Sequence, residues 1–317
     1  MSTVRIDRGR TRFALALLLL WVPAAFADKI YKYVDADGIV HYTDRKPSEN
    51  TAAEIISVRA EVQDIVALRL DGDAMLRHAV VTNRIAGPVE IELDFKDNDN
   101  IVASPSLPLR ATIPGNTERR VGTFSSADKY KPGSLSLSLH AVPGDPTAHV
   151  EAVDYHMPVA GSDWRIDQGF GGSFSHREPA SRYAIDIAVD EGTPVLAARG
   201  GLVMQVEDEF EGAGLDLEKF AARANHVRIL HDDGSMAVYA HLQPDSVLVR
   251  AGRRIEAGHH IGASGNTGYS SGPHLHFAVQ VNRGMALESI PFTLVDAAGS
   301  QVDVPGSSVA KERTFGR

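Results

Sequence analysis

Residues 270–281 read SSGPHLHFAVQV and set His274 and His276 one leucine apart. In an extended strand, side chains two apart share a face, so the two imidazoles would stand together. Such a pair is either an exposed polar face or two nitrogens aimed at one spot, with a metal ion as a candidate. Two other segments could face it. In GGSFSHREPASRYAIDIAVDEGTPV, His176 ends a glycine-rich stretch and Asp186 lies in the apolar run from 184 to 188. A carboxylate between isoleucines is costly to bury unless something cationic pairs with it, a metal ion or an arginine. In YAHL, His241 ends the return strand of a hairpin that turns at HDDGS, residues 231–235.

A hydrolytic zinc site takes three protein ligands and keeps one position open for water. It also needs groups that move protons and stabilise an oxyanion. The chain has no cysteine. Disulfides and Cys-based zinc sites are therefore excluded, and any metal must be held by His, Asp or Glu. Eight of the 13 histidines fall between residues 176 and 276, which is where such a site is expected. Of these, His231 reads as orienting its turn and His226 as structural or solvated. His259 and His260 sit in a turn, where metal binding is an alternative. His78, His140, His149 and His156 are scattered and read as solvated or core residues.

The elements that must position these residues are mostly strands. From residue 161 glycine becomes frequent. Strand-like runs cover 194–198, 202–206, 227–230, 237–240 and 277–281. One stretch, 216–224, has helical spacing at Leu217, Phe220, Ala221 and Ala224 and reads as an insertion beside a groove. Residues 55–160 carry short alternating runs, such as VEIELDF and LSLSL, separated by turn signals. That pattern predicts an antiparallel β-sandwich, with the role of a spacer or docking module. Upstream, IYKYV and IVHYT flank DADG and predict a β-hairpin. The tail from 294 to 317 has few signals and is expected to be loosely packed.

The N-terminus has Arg5, Arg8, Arg10 and Arg12, an apolar run over 13–25 and an A-x-A site at 25–27. This is the pattern of a secretory signal peptide, cleaved before Asp28. The remaining chain would hold 28 basic against 40 acidic residues, a net charge of about −12. That argues against a nucleic-acid partner, which needs a basic face. No later segment is long and apolar enough for a transmembrane helix. The expected division is a signal peptide (1–27), a small β-hairpin domain (28–54), a β-sandwich domain (55–160), a β-sheet-groove domain (161–293) and a C-terminal tail (294–317).

Two resemblances add to this reading. YKYVD, Gly38 and HYTD resemble a small domain of unknown function found at the N-terminus of exported proteobacterial proteins. GTPV (192–195), His231-x-Asp233-Gly234, YAHL (239–242), GNTG (265–268) and SGPHLHF (271–277) occur in order. Together, over about residues 165–292, they resemble the lysostaphin-like (LytM-type) zinc metallopeptidases. The resemblance implies an antiparallel β-sheet groove with one Zn2+ on its floor and hydrolysis of peptide cross-links in bacterial peptidoglycan. By position, Asp186 and His276 would be zinc ligands, and His241 and His274 non-ligand catalytic histidines. The family pattern H-x-x-x-D places Arg182 where the third ligand is usual. Arginine cannot ligate zinc, and the nearest upstream histidine is His176, ten residues before Asp186; a longer loop through REPASR would return His176 to the metal as the third ligand, the alternative being a degenerate site that binds without cutting.

The implied chemistry is metal-assisted hydrolysis, with His274 acting on the attacking water and His241 on the oxyanion. Export makes the periplasm the expected compartment, with secretion as the alternative, and peptidoglycan stem peptides the expected partners. The N-terminal parts could contact cell-wall or regulatory proteins. Three other readings remain open at this point: a non-catalytic activator of a cell-wall amidase, a zinc protease acting on extracellular proteins, and glycan docking through the sandwich.

Overall fold

A computed structural model describes residues 29–34, 40–43, 53–57, 64–73 and 75–307. The signal-peptide reading falls on residues outside these. So do residues 308–317. The chain divides at residue 63 into two units. In the first, Lys29–Val34 pairs antiparallel with Val40–Thr43, Val34 opposite Val40; the predicted DADG turn lies outside the described residues. A third strand, Ala53–Ser57, pairs with the other edge of Lys29–Val34. The sequence gives little sign of it, because AEIIS is short and has no clean alternation.

The second unit is almost all strand. Val66–Gly72, Leu76–Asn83, Glu118–Ser126 and Ile101–Ser104 form one antiparallel sheet; Ser134–Pro143, Val89–Asp99 and Leu109–Ile113 form another. Ala79, Leu93, Ile101, Phe124 and Leu137 are buried between the two sheets. This is the sandwich that the alternating runs predict, since period two puts one apolar set inward from each sheet.

The larger sheet has the antiparallel order Arg165–Gln168, Ile185–Ala188, Leu275–Asn282, Met236–Ala240, His226–Leu230, Gly201–Glu207 and Arg254–Ile255, with Leu287–Ser289 added on Leu275–Asn282. One face is the main core: Ile185, Ile187, Val203, Val227, Ile229, Ala237, Tyr239, Leu275, Phe277 and Val279 are buried on it. The alternate residues therefore face the other way, and these include Asp186, Ala240 and His276. Part of this second face is covered by the sandwich. Met204 and Met236, both fully buried, pack with Val66, Val81, Ile85, Val89, Ile91 and Ile113. Gly87 and Gly144 lie so close that a Cβ on either would come within 2.7 Å of a methionine side chain.

Two expectations need correction. The helix predicted over 216–224 is one turn, Leu217–Phe220, capped by Asp216 and with no buried residue. Helical spacing alone does not overcome the cost of nucleation when no apolar face is covered. The tail is not loosely packed from 294 to 307. Thr293–Val295 pairs in parallel with Asp154–His156, and Leu294 and Val304 are 0% and 3% exposed. Isolated aliphatic residues in a polar segment gave no periodicity by which to find this. Among the described residues no helix is long and apolar enough to cross a membrane.

Candidate metal centre

Register brings the first pair together. Asp186 stands directly opposite His276, and His276 opposite Ala240 on the next strand. His241 follows Ala240 in the left-handed region, with φ of 65°. This conformation is uncommon for a non-glycine residue and is held here by a contact. His241 Nδ1–H donates to the Thr267 carbonyl at 2.6 Å. Thr267 is fixed in turn, because its hydroxyl donates to the Leu242 carbonyl and accepts from Asn225 N. The His241 and His274 rings lie 4.6 Å apart, centre to centre.

His176 arrives by a loop. His176 N donates to the Gly172 carbonyl, and the Ser181 hydroxyl to the Ser175 carbonyl. These bonds fold 169–184 back on itself. Gly172 makes this possible, since a Cβ there would sit 2.1 Å from Gln168 Cγ. The tail braces the same loop. Phe170 N donates to the Pro305 carbonyl at 2.8 Å.

The result is three imidazoles around one carboxylate, with the His241 ring beside two of them. Asp186 Oδ1 lies 2.8 Å from His276 Nδ1, 3.2 Å from His176 Nε2 and 3.7 Å from His274 Nε2. Donor atoms of His176, Asp186 and His276 are all within 4.8 Å of one another; among the described residues this is the one such cluster of three. Asp186 Oδ2 accepts from Gln168 Nε2 at 2.8 Å. Gln168 is in turn held by Phe174 N, which donates to its Oε1. Sequence reading missed Gln168 and Thr267, whose roles come from strand pairing and loop approach rather than from a motif.

The electrostatics follow from the contacts. Burial opposes a charge on Asp186, but the hydrogen bonds and charges of His176 and His276 outweigh it, holding the carboxyl well below the usual range. Burial, helped by the neighbouring His274 and His276, pushes His241 down to about 3 and keeps it neutral. His226 and His231 are also pushed down to about 4, chiefly by burial. His231 Nδ1–H donates to the Gly200 carbonyl, so it is a structural residue away from the cluster. His226 lines the groove. His260 Nε2 is bonded to the carbonyl of Gly262, and no metal cluster includes it.

The donor set fits a metal cation. His176 Nδ1–H donates to the Gly169 carbonyl at 2.8 Å, which leaves a lone pair on Nε2. That nitrogen faces the Asp186 carboxylate oxygen at 3.2 Å. Two lone pairs at this distance repel unless a proton or a cation lies between them. A ligating histidine characteristically donates its other N–H to a carbonyl in this way. The cluster opens onto a groove of about 790 Å³, with Phe174, Tyr269, Gly272 and His274 among its walls.

Residues 180–288 match the model of Peptidase family M23, and residues 17–65 match the Domain of unknown function DUF4124. The M23 match begins past His176. An uncharacterized metalloprotease of Buchnera aphidicola is 26% identical over 186 residues, covering 57% of this chain and 42% of the relative. Peptidoglycan DD-endopeptidase ShyA of Vibrio cholerae is 32% identical over 123 residues, covering 38% of this chain and 26% of the relative. The catalytic domain of the prophage-encoded M23 protein EnpA of Enterococcus faecalis, a solved structure, is 26% identical, with a TM-score of 0.32, covering 42% of this chain and 92% of that one. The chain thus spans less than half the length of these two curated relatives. It carries a DUF4124 domain followed by a metallopeptidase domain of family M23, the lysostaphin (LytM) type.

Proposed function

We propose that this protein is a zinc endopeptidase that hydrolyses peptide cross-links of bacterial peptidoglycan. The observation that carries the reading is the convergence of His176, His274 and His276 on a single oxygen of Asp186, with His241 beside them. A non-catalytic activator would not need all five side chains kept in contact. His176, Asp186 and His276 would hold Zn2+. When bound, that ion supplies Lewis acidity to a scissile carbonyl and lowers the pKa of water.

The remaining steps belong to the chain's own residues. Gln168 fixes the carboxylate plane of Asp186 through Oδ2. His274 Nδ1–H donates to the Gly272 carbonyl at 2.8 Å, so Nε2 carries the lone pair and faces the cluster. It is the base that takes a proton from the attacking water. His241 Nδ1–H is committed to Thr267. Its Nε2 carries a lone pair, so it donates to the oxyanion only after receiving the proton that the adjacent His274 has taken from the water. The groove suits an extended peptide, whose backbone can approach Gly272 closely.

The same proposal places the enzyme outside the cytoplasm, in the periplasm, after removal of residues 1–27. It takes residues 28–54 as a small hairpin domain, to which the strand Ala53–Ser57 adds, 55–160 as the sandwich, 161–293 as the peptidase and 294–317 as a tail whose first part packs on the peptidase core. Metal analysis of the purified protein and digestion of purified sacculi test it. About one zinc per chain and release of soluble muropeptides are expected. No zinc and no digestion by a folded protein would sink the proposal. Casein cut as fast as the muropeptides would point to a general extracellular protease instead.

A further inference from the structure

We propose that Arg228 is a carboxylate-binding residue in the groove, one that selects peptides carrying a free carboxylate some residues from the bond that is cut. The inference rests on the peptidase reading above and adds a substrate feature to it.

Arg228 lies on His226–Leu230, where Val227 and Ile229 are fully buried in the main core. Alternation therefore turns Arg228 to the other face of the sheet. Register sets it opposite Val238, and Val238 opposite Ala278. The neighbouring row of the same face is His226, Ala240, His276 and Asp186. Arg228 thus lines the groove one residue pair along from the metal cluster.

Its environment is unusual for a charge. Arg228 is 9% exposed. No carboxylate among the described residues pairs with it, and burial pushes the guanidinium down to about 10. Its Nη1 donates to Gln280 Oε1 at 2.6 Å, while its buried Nε has no partner. Gln280 is itself held, donating from Nε2 to the Ala180 carbonyl at 2.7 Å. One neutral amide thus aims the guanidinium without neutralising it. A buried charge with no carboxylate beside it is costly, and a ligand carboxylate that reaches the remaining Nη N–H groups from the groove offsets that cost. The planar fork of arginine suits such a partner. Arg165, the other arginine of the groove, is already paired with Asp167 at 2.6 Å.

Position gives the substrate feature. Gln280 is four residues along its strand from His276, about 13 Å at strand rise. The guanidinium lies over the stretch between them. An extended peptide lying along the groove advances roughly 3.4 Å per residue. The recognised carboxylate would therefore stand roughly two to four residues from the scissile bond. The whole chain has a net charge of −9, so an anionic peptide gains no general attraction and depends on this contact.

The test uses the full-length protein loaded with zinc and a synthetic cross-linked peptide dimer. One form has free carboxylates, and a second set has them converted to carboxamides one at a time. The wild type should prefer the free form at least tenfold in kcat/KM, with amidation at one position abolishing the preference. In Arg228→Gln the ratio should collapse to about one; Arg228→Lys, which keeps the charge but loses the fork, should fall between. Calorimetric binding of both peptides gives the same ratio without catalysis. If the wild type binds the peptides but cuts neither, the peptidase reading fails while the binding ratio still decides the role of Arg228. A wild-type ratio near one, or a Gln variant that keeps the wild-type ratio, would overturn the proposal.

Discussion

Asp186 is asked to do two things at once. Its Oδ1 faces three imidazoles, and its Oδ2 takes a hydrogen from Gln168. Without Gln168 the carboxylate could rotate, and both the zinc-facing lone pair and the spacing to His274 would change. Residues that orient a ligand in this way typically contribute 10- to 100-fold in metal affinity. Gln168→Ala should therefore weaken zinc binding by about that factor, measured by competition with a chelator, while the far-UV spectrum stays unchanged. His176→Ala should go further, losing both bound zinc and sacculus digestion. Full retention of both would remove His176 from the ligand set.

A second residue-scale expectation concerns acid. His231 is 2% exposed and its folded pKa is pushed down to about 4 from 6.5. Between those values the unfolded chain binds the proton and the folded chain does not. Stability is thus complete above pH 6.5 and is lost as pH falls toward 4, by about 3 kcal/mol. Tm measured across this window should decline with pH. His231→Gln, which keeps a donor toward Gly200, should flatten that decline even if it lowers Tm at pH 8.

At the scale of elements, what the sequence could reveal depended on whether a contact leaves a local pattern. HLHF and AIDIA place His276 and Asp186 on strand faces by alternation alone, and the Asp186–His276 pairing needs only that these strands be neighbours. His176 is different. Arg182 occupies the usual position, so the sequence offers His176 only through a longer loop containing Pro179, and the hydrogen bonds that fold that loop leave no pattern in residue type. The contribution of the tail was illegible for the same reason, because Pro305 acts through a backbone carbonyl and so leaves no trace in residue type. Gly169 joins these two features. Its carbonyl accepts from His176 Nδ1, and a Cβ on it would lie 2.1 Å from the Pro305 carbonyl oxygen. Gly169→Ala forces backbone against backbone, which costs about 1–3 kcal/mol when a packed region must shift. Lower Tm and weaker zinc retention should appear together. A variant that loses stability but keeps zinc would separate the tail from the metal loop.

Across the second unit as a whole, the sandwich and the peptidase sheet share one core. Met204 and Met236 belong to peptidase strands, yet their side chains are buried among Val81, Ile85, Val89 and Ile91 of the sandwich. The Ala86 amide donates to the Met204 carbonyl, and the Met285 amide to the Glu90 carboxylate. A spacer module would leave the sheet face to solvent; here it covers the part of that face which the groove does not use. Removing the sandwich exposes both methionines, each worth about 1.5–3 kcal/mol of burial. It also uncovers the apolar patch around Leu230 and Leu287. A chain starting at residue 150, which keeps the strand Asp154–His156 and its core residues, should therefore melt well below one starting at residue 64 and should aggregate at micromolar concentration. Equal Tm values would mean that the sandwich is a separable attachment. Met204→Ala in the longer chain should cost about 2–5 kcal/mol. The same substitution in the shorter chain should cost far less, because the cavity it creates in the shared core would not exist there. That difference, read from two denaturation midpoints, measures how far the fold of the peptidase depends on the domain beside it.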